Sequence, residues 1–356
     1  LIADSVYSGF MSIGKPHIVL LGGGNGTSRM LASLVPLLQD GVLASLHALV
    51  LNADDGGSTG RLRAQYQVSA MGDLTKCLMA LSGFHGDTRG EQLLAALDYR
   101  FERGDFTGHT LRNIFLTSLE RTSDLDAGIA MMARILQIPK NAGVVPVTLK
   151  PLTQQVVITF AGKKRLLGEG QHFISHKVNL QADPRWQPGD VRVQFAEGDA
   201  PLNPRARGLL SEATHIVVAP GHTFGTILPT LALPQLGAAV RESSAEVWTI
   251  LGLLTTPRQT EGWSGEDFVQ VYTSSLGRDF SQVVSNRGRV PLHLEPGQDW
   301  VVFSGTEHPY RLLQEDLVSA DAGSVQLGDV VPRAVVVHDS GKMERVFRQL
   351  LAKERD

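Results

Sequence analysis

The chain is poor in cysteine, in long apolar runs and in excess charge of either sign. A single thiol, Cys77, among 356 residues excludes an intrachain disulfide and fits a reducing, cytoplasmic compartment. No apolar run reaches about 18 residues, so neither a membrane-spanning helix nor a membrane partner is expected. Lysine and arginine number 33 against 36 aspartates and glutamates, a net charge of −3, which leaves no broad basic surface for nucleic acid. The histidines lack zinc-ligand spacing, and the chain has neither an internal repeat nor a low-complexity tract. What is present, 42% apolar and 19% charged residues over a length that supports a large core, is the composition of a globular protein.

His17-Ile18-Val19-Leu20-Leu21 is a short apolar run ending in glycines and predicts a buried strand. Met30, Leu31, Leu34, Leu37 and Leu38 follow at helical spacing, with Pro36 expected to end or kink that helix. Leu46 to Leu51 predicts the next strand, and strand, glycine turn, helix and strand together make a βαβ unit of a parallel sheet. Residues 73–137 read as mainly helical, as in Leu74/Leu78/Leu81 and Ile129/Met132/Ile135/Leu136. From about 144 to 205 the texture changes to short strands, Val156–Phe160 and Val191–Phe195, among turn residues: a β-rich excursion from the main sheet. Ile216–Ala219, Val247–Leu251 and Val335–Val337 predict further strands of that sheet. Met343, Val346, Phe347, Leu350 and Leu351 give an amphipathic C-terminal helix. The expected fold class is α/β, with a mainly parallel sheet flanked by helices. It occupies one domain over residues 16–356 behind a loosely ordered lead-in at 1–15.

Two loops carry the chemistry. Gly22 to Thr27 joins a strand to a helix N-terminus, where unpaired amides and the helix dipole favour an anion. Thr27 stands at the third glycine position of the dinucleotide fingerprint and no Gly-Lys-Ser/Thr follows, so neither that fingerprint nor a Walker A loop is present. The second loop, Ala53-Asp54-Asp55-Gly56-Gly57-Ser58-Thr59-Gly60-Arg61-Leu62-Arg63, places two carboxylates after a strand, where ligands collect in open α/β sheets. Carboxylate oxygens suit a hard cation such as Mg²⁺, and Arg61 and Arg63 could clamp phosphate oxygens. Adjacent residues of a strand point to opposite faces, so Asp54 and Asp55 need not share one metal. Acids and glycines are also ordinary turn formers. Asp73 and Thr110 read equally well as helix N-caps, and Cys77 as a packing residue. Pro220-Gly221-His222-Thr223-Phe224-Gly225 is another candidate anion turn that echoes the hydrolase elbow G-x-S-x-G only weakly.

Taken together these segments resemble the CofD/YvcK superfamily, which contains the 2-phospho-L-lactate transferase of coenzyme F420 synthesis and the bacterial gluconeogenesis factor of the YvcK type. The resemblance runs from about His17 to Asn286 and includes the Gly22–Gly26 loop, the 53–63 block, Gly72-Asp73-Leu74 and Tyr99-Arg100-Phe101. Gly108-His109 with Asn113 and Ala219-Pro220-Gly221 complete it. The acidic block is its specific part and looks closer to the YvcK branch. The resemblance implies a Rossmann-like core with a nucleotide or nucleotide-sugar ligand across the strand ends. On the YvcK side it implies UDP-sugar binding and regulation of carbon use and cell-envelope synthesis. On the transferase side it implies Mg²⁺-dependent transfer of a phospholactyl group, with Asp54 and Asp55 as the metal or acceptor carboxylates. Gly23, Gly24, Asn25, Gly26, Thr27, Ser58, Thr59, Arg61, Arg63, Asp73, Asn113, Gly221, His222 and Thr223 are the expected ligand-binding set. Members often associate, which leaves a homo-oligomer open, and a protein that kept the fold but binds a partner instead is the third alternative. The chain departs from the family pattern at Asn25, at Arg112, at His222-Thr223-Phe224-Gly225, and at Gly252 and 255–260.

Overall fold

A computed structural model describes residues 14–291, 294–320 and 336–353. Most of the expected lead-in, and Val335 of the last expected strand, lie outside the described residues. The strands, in chain order, are β1 (His17–Gly22), β2 (Ser45–Val50), β3 (Ala142–Pro146), β4 (Gln154–Phe160) and β5 (Lys163–Glu169). β6 (Val191–Phe195), β7 (His215–Val218), β8 (Glu246–Ile250), β9 (Gln282–Asn286) and β10 (Arg311–Glu315) complete them. Seven strands form one parallel sheet in the order β10-β9-β8-β7-β1-β2-β3, and β5-β4-β6 form a small antiparallel sheet.

The helices are α1 (Gly24–Gln39), α2 (Gly57–Tyr66), α3 (Met71–Ala80), α4 (Thr88–Asp98), α5 (Leu111–Thr122) and α6 (Leu125–Ile135). They continue with α7 (Gln171–Lys177), α8 (Pro204–Glu212), α9 (Leu228–Leu231), α10 (Pro234–Glu242), α11 (Gly265–Leu276) and α12 (Ser340–Lys353).

The sheet is covered on both faces, which is why its strands read as continuous apolar runs rather than as alternations. Ile18 and Leu20 of β1, with Val217 and Trp248, face the layer built by α1, α3, α5, α6 and α12. Val19 and Leu21, with Ile216 and Val247, face the opposite layer of α8 to α11. The antiparallel sheet joins that second layer through Val156, Ile158, Val191 and Phe195.

Several expectations are corrected here. Pro36 does not end α1, which runs on to Gln39 because Leu37 and Leu38 stay buried in the core. The carbonyl that loses a donor to Pro36 belongs to Ala32, on the exposed face where water can reach it. Ala142–Pro146 pairs with β2 at the edge of the parallel sheet, so the antiparallel excursion starts at Gln154 rather than near 144. Five of the seven residues of β5 are exposed, and it carries no apolar alternation to betray it. Val336 and Val337 form no strand; the neighbouring His338 makes one antiparallel bridge to Val318.

α12 packs on α1 and sets Phe347 against Trp248 at 5.9 Å between ring centroids. Phe347→Ala is expected to cost about 3–5 kcal/mol by chemical denaturation, since the ring is fully buried and leaves a cavity.

Candidate functional site

The chain builds outward from β1 in both directions, first to β2 and β3 and then to β7 and beyond, so a topological switch point falls between β1 and β7. Register brings three turns to one edge there: Gly22 lies level with Val50, and Leu21 with Val218. Their continuations are the first glycine loop, the acidic loop and Pro220-Gly221. A cleft between them is lined by Gly22, Leu51, Ala53, Asp54, Asp73, Gln171, Gly225 and Thr226.

The approach of the loops depends on small residues. A Cβ on Gly26 would overlap the carbonyl of Pro220, so α1 starts in direct contact with the turn after β7. Gly24 has a left-handed φ of 64° and, with Gly23, lies against the Asp73 carboxylate: a Cβ on Gly23 would stand 2.8 Å from Asp73 Oδ2.

Asp54 lies at the bottom of the cleft, half-buried. Its Oδ1 accepts the Gly56 N–H at 2.9 Å, and Thr59 donates to it as well. Burial, and then the facing Asp73 carboxylate, push the Asp54 pKa up to about 6 against those bonds. Asp73 arrives there because α3 starts at Met71, so Asp73 sits in the first turn and is not the N-cap. Ala70 holds the cap position, and its N–H donates to Asn52 Oδ1 at 2.6 Å, tying the start of α3 to the end of β2. Lys76, 3.8 Å from Asp73, partly balances the pair.

Asp55 turns the other way: its carboxylate accepts the His172 N–H at 2.7 Å and holds the start of α7. The acidic loop is braced by Arg63, whose guanidinium donates to the carbonyls of Ala53 at 3.3 Å and Asp54 at 2.8 Å. Arg61 reaches out to the Thr107 carbonyl at 2.5 Å. Ser58 enters a buried network: His109 Nδ1 lies 2.9 Å from its hydroxyl, Asn113 donates to it at 3.2 Å, and Thr75 donates to Asn113 Oδ1 at 2.8 Å. Arg112, itself buried, donates to Thr75 at 3.3 Å and pairs with the part-exposed Asp98, so this departure from the family pattern is absorbed by an ion pair. Asn25 is exposed, and the Thr27 hydroxyl is buried under Gly22 without a hydrogen-bond partner. Thr110 occupies the N-cap position of α5 without a side-chain cap bond.

After β7, the segment Thr223–Ile227 makes one wide π-helical turn, a feature that frequents functional sites. His222 Nδ1 accepts the Gly225 N–H at 2.9 Å and caps it; burial and His176 hold its pKa down at about 4. Thr223 is buried, 3.5 Å from the Tyr272 hydroxyl. The structure therefore brings Gly23, Gly24, Asp54, Thr59, Asp73 and the turn containing His222 around one cleft. It directs Asp55, Ser58, Asn113 and both arginines into supporting contacts. Gln171 lines the cleft unannounced, because only the tertiary fold brings α7 to the acidic loop, and Thr226 joins it from just beyond the candidate anion turn that ends at Gly225.

The fold and cleft define an α/β protein with its polar loops gathered at the carboxyl edge of a parallel sheet. The family described as 2-phospho-L-lactate transferase CofD matches residues 18–327, and the chain belongs to it. It is 30% identical to the gluconeogenesis factor of Listeria monocytogenes over 88% of this chain and 92% of the relative. A putative gluconeogenesis factor of Aquifex aeolicus is 29% identical over 96% and 98% of the two chains. Some relatives are longer: the match spans 52% of a putative gluconeogenesis factor from Nostoc and 66% of one from Deinococcus radiodurans. The crystal structure of a UPF0052-family protein from Bacillus halodurans has the same fold, with a TM-score of 0.74 at 22% identity over 95% of this chain and 100% of that one. Among the described residues no single helix is long and apolar enough to cross a membrane.

Because the folded-state pKa of Asp54 is raised, its charge costs stability as pH rises through about 4 to 6, and acidification across that window regains it. Asp54→Asn keeps the acceptor for the Gly56 N–H and removes the charge. We expect it to stabilise the ligand-free protein by about 1 kcal/mol at neutral pH and to flatten that part of the pH–stability curve, as read by denaturant melts of both proteins. Gly26→Ala should instead destabilise by at least about 2 kcal/mol in the same assay, since backbone must move to admit the methyl group.

Proposed function

We propose that the cleft binds the diphosphate of a nucleotide or a UDP-sugar-like nucleotide sugar together with Mg²⁺. The protein would act as a regulator of carbon metabolism or cell-envelope synthesis. The observation that carries the reading is the facing of Asp54 and Asp73 beside the Gly23-Gly24 backbone, at the switch point of a parallel sheet. A buried carboxylate whose proton affinity is raised by a second carboxylate facing it is short of positive charge, and oxygen donors suit a hard cation. Mg²⁺ is commonly held by one or two carboxylates with substrate phosphates and water completing its shell. Asp54 and Asp73 would hold it, with Thr59 and the Gly56 amide fixing the orientation of Asp54. When bound, the ion would neutralise the diphosphate. The start of α1 would supply amides to the phosphates, and Arg63 would keep the acidic loop in place. The names of the relatives favour the regulatory role: several are gluconeogenesis factors.

A second reading is a Mg²⁺-dependent transferase of the phospholactyl type, favoured by the description of the matching family. There an acceptor hydroxyl would attack phosphorus in the same cleft, with Asp54 or Asp73 positioning it.

Thermal shift with UDP-sugars, GDP and GTP, with and without Mg²⁺, tests both readings. A ligand at about 100 times its Kd should stabilise the protein by about 2.7 kcal/mol. Asp54→Asn and Asp73→Asn should each abolish the Mg²⁺-dependent part. Release of a nucleoside monophosphate selects the transferase, and binding without turnover selects the regulator. If no nucleotide raises the melting temperature, both fall and a partner-binding role takes their place.

A further inference from the structure

A cluster of imidazoles flanks the cleft: His222 belongs to the expected ligand-binding set, while the rings of His172 and His176 have no part in it. His172 and His176 stand one turn apart on α7, with ring centroids 4.8 Å apart. α7 packs on the π-helical turn that His222 opens: a Cβ on Gly225 would run into the Ser175 hydroxyl and stand 3.1 Å from His222 Nδ1. Gln171 next to His172, and Gly225 and Thr226 after His222, line the cleft itself. The histidines are accessible to a ligand, with His172 exposed and His176 and His222 half-buried. The His222 ring uses Nδ1 to accept from Gly225, so when neutral it carries its proton on Nε2 as a donor.

Three observations say what such a cluster suits. Burial, His172 and Lys177 lower the pKa of His176, and burial and His176 lower that of His222 to about 4, so both are neutral at physiological pH and resist charging. The Ser175 hydroxyl is buried beside them with no partner. Arg258, exposed, donates to the His176 carbonyl at 3.4 Å and adds a permanent cation at the rim. No group of three His, Cys, Asp or Glu residues among those described is arranged to hold a metal ion. Burial is the main cause that keeps the rings neutral, and an incoming anion would offset it by stabilising their protonated form.

We propose that His176 and His222, with His172 and Arg258 at the rim, form an anion subsite that takes the terminal phosphoryl group of the ligand. This rests on the diphosphate reading above and goes beyond it. It assigns a second cluster to the ligand and makes binding take up protons. The charged groups facing the rings are Lys177 on the same helix, Arg258 from the segment after β8, and Asp55 at the start of α7. The Asp54–Asp73 pair with Lys76 faces them from the acidic side of the cleft. Mg²⁺ binding releases a proton from Asp54, opposite in sign to uptake by the imidazoles. The comparison is therefore wild type against a variant at saturating Mg²⁺, so that this contribution cancels.

The variant is His176→Gln with His222→Asn, in which the asparagine keeps an acceptor for the Gly225 N–H. Calorimetry with inorganic pyrophosphate and with UDP, in two buffers of different ionisation enthalpy, reads proton uptake. At pH about 6.5 the wild type should take up roughly 0.5–1 proton more than the variant. The variant should bind about tenfold more weakly there and less than about threefold more weakly near pH 8.5. On the unaltered protein, histidine ring resonances should titrate at higher pH once pyrophosphate is added, a readout that does not depend on the variant folding. Equal uptake by the two proteins, with ring titrations unmoved, overturns the subsite and leaves the diphosphate reading standing. Failure of the wild type to bind pyrophosphate or any nucleotide sinks both. Stabilisation of the wild type but not the variant by Zn²⁺ alone would mark a metal site and overturn the proposal.

Discussion

The site depends on one unfavourable juxtaposition: two carboxylates, Asp54 after β2 and Asp73 in the first turn of α3, lining one cleft beside glycine backbone. Left alone they repel, and the fold spends several specific contacts to keep them there. Asn52 fixes the start of α3, Arg63 grips the acidic loop through two carbonyls, and Gly56 and Thr59 hold Asp54. Strained electrostatics of this kind cluster at functional sites.

Parallel topology explains why these groups meet at all. In such a sheet every strand-to-helix turn emerges at the same edge, and register sets Gly22, Val50 and Val218 at nearly one height. The switch between β1 and β7 opens the crevice, and the antiparallel excursion closes one side of it with α7. That helix is fastened at both ends, by Asp55 at His172 and by the Gln259 amide, which donates to the carbonyls of Ile174 at 2.7 Å and Val178 at 3.4 Å. The second layer therefore forms a fixed wall of the cleft.

The sequence exposes what is local and conceals what is long-range. β1, β2, β7 and β8 are legible because burial on both faces gives them continuous apolar runs, and α12 because burial on one face imposes a 3.6-residue period. β5 and β10 are not, because β5 is mostly exposed, β10 is only part-buried, and their identity comes from a partner strand. The acidic loop is legible as chemistry, but the partner of Asp54 is not: adjacency suggests Asp55, whereas Asp55 binds a backbone amide 117 residues away. Asp73 reads as a cap because acids often are one, and only the tie from Asn52 to Ala70 shifts the helix start far enough to turn it into the cleft. His222 could be read as part of a turn, but its neighbours His172 and His176 are brought to it by an excursion of the chain.

The lone cysteine offers a handle on this arrangement. Cys77 is fully buried on α3, four residues beyond Asp73, and burial pushes its thiol far above the range in which thiolate forms. Burial shields it from thiol reagents in the folded protein, so its alkylation requires an opening that exposes α3. Alkylation is thus a clock wired to the helix that carries half of the carboxylate pair. Ligands that clamp that helix would slow the clock with no engineered label.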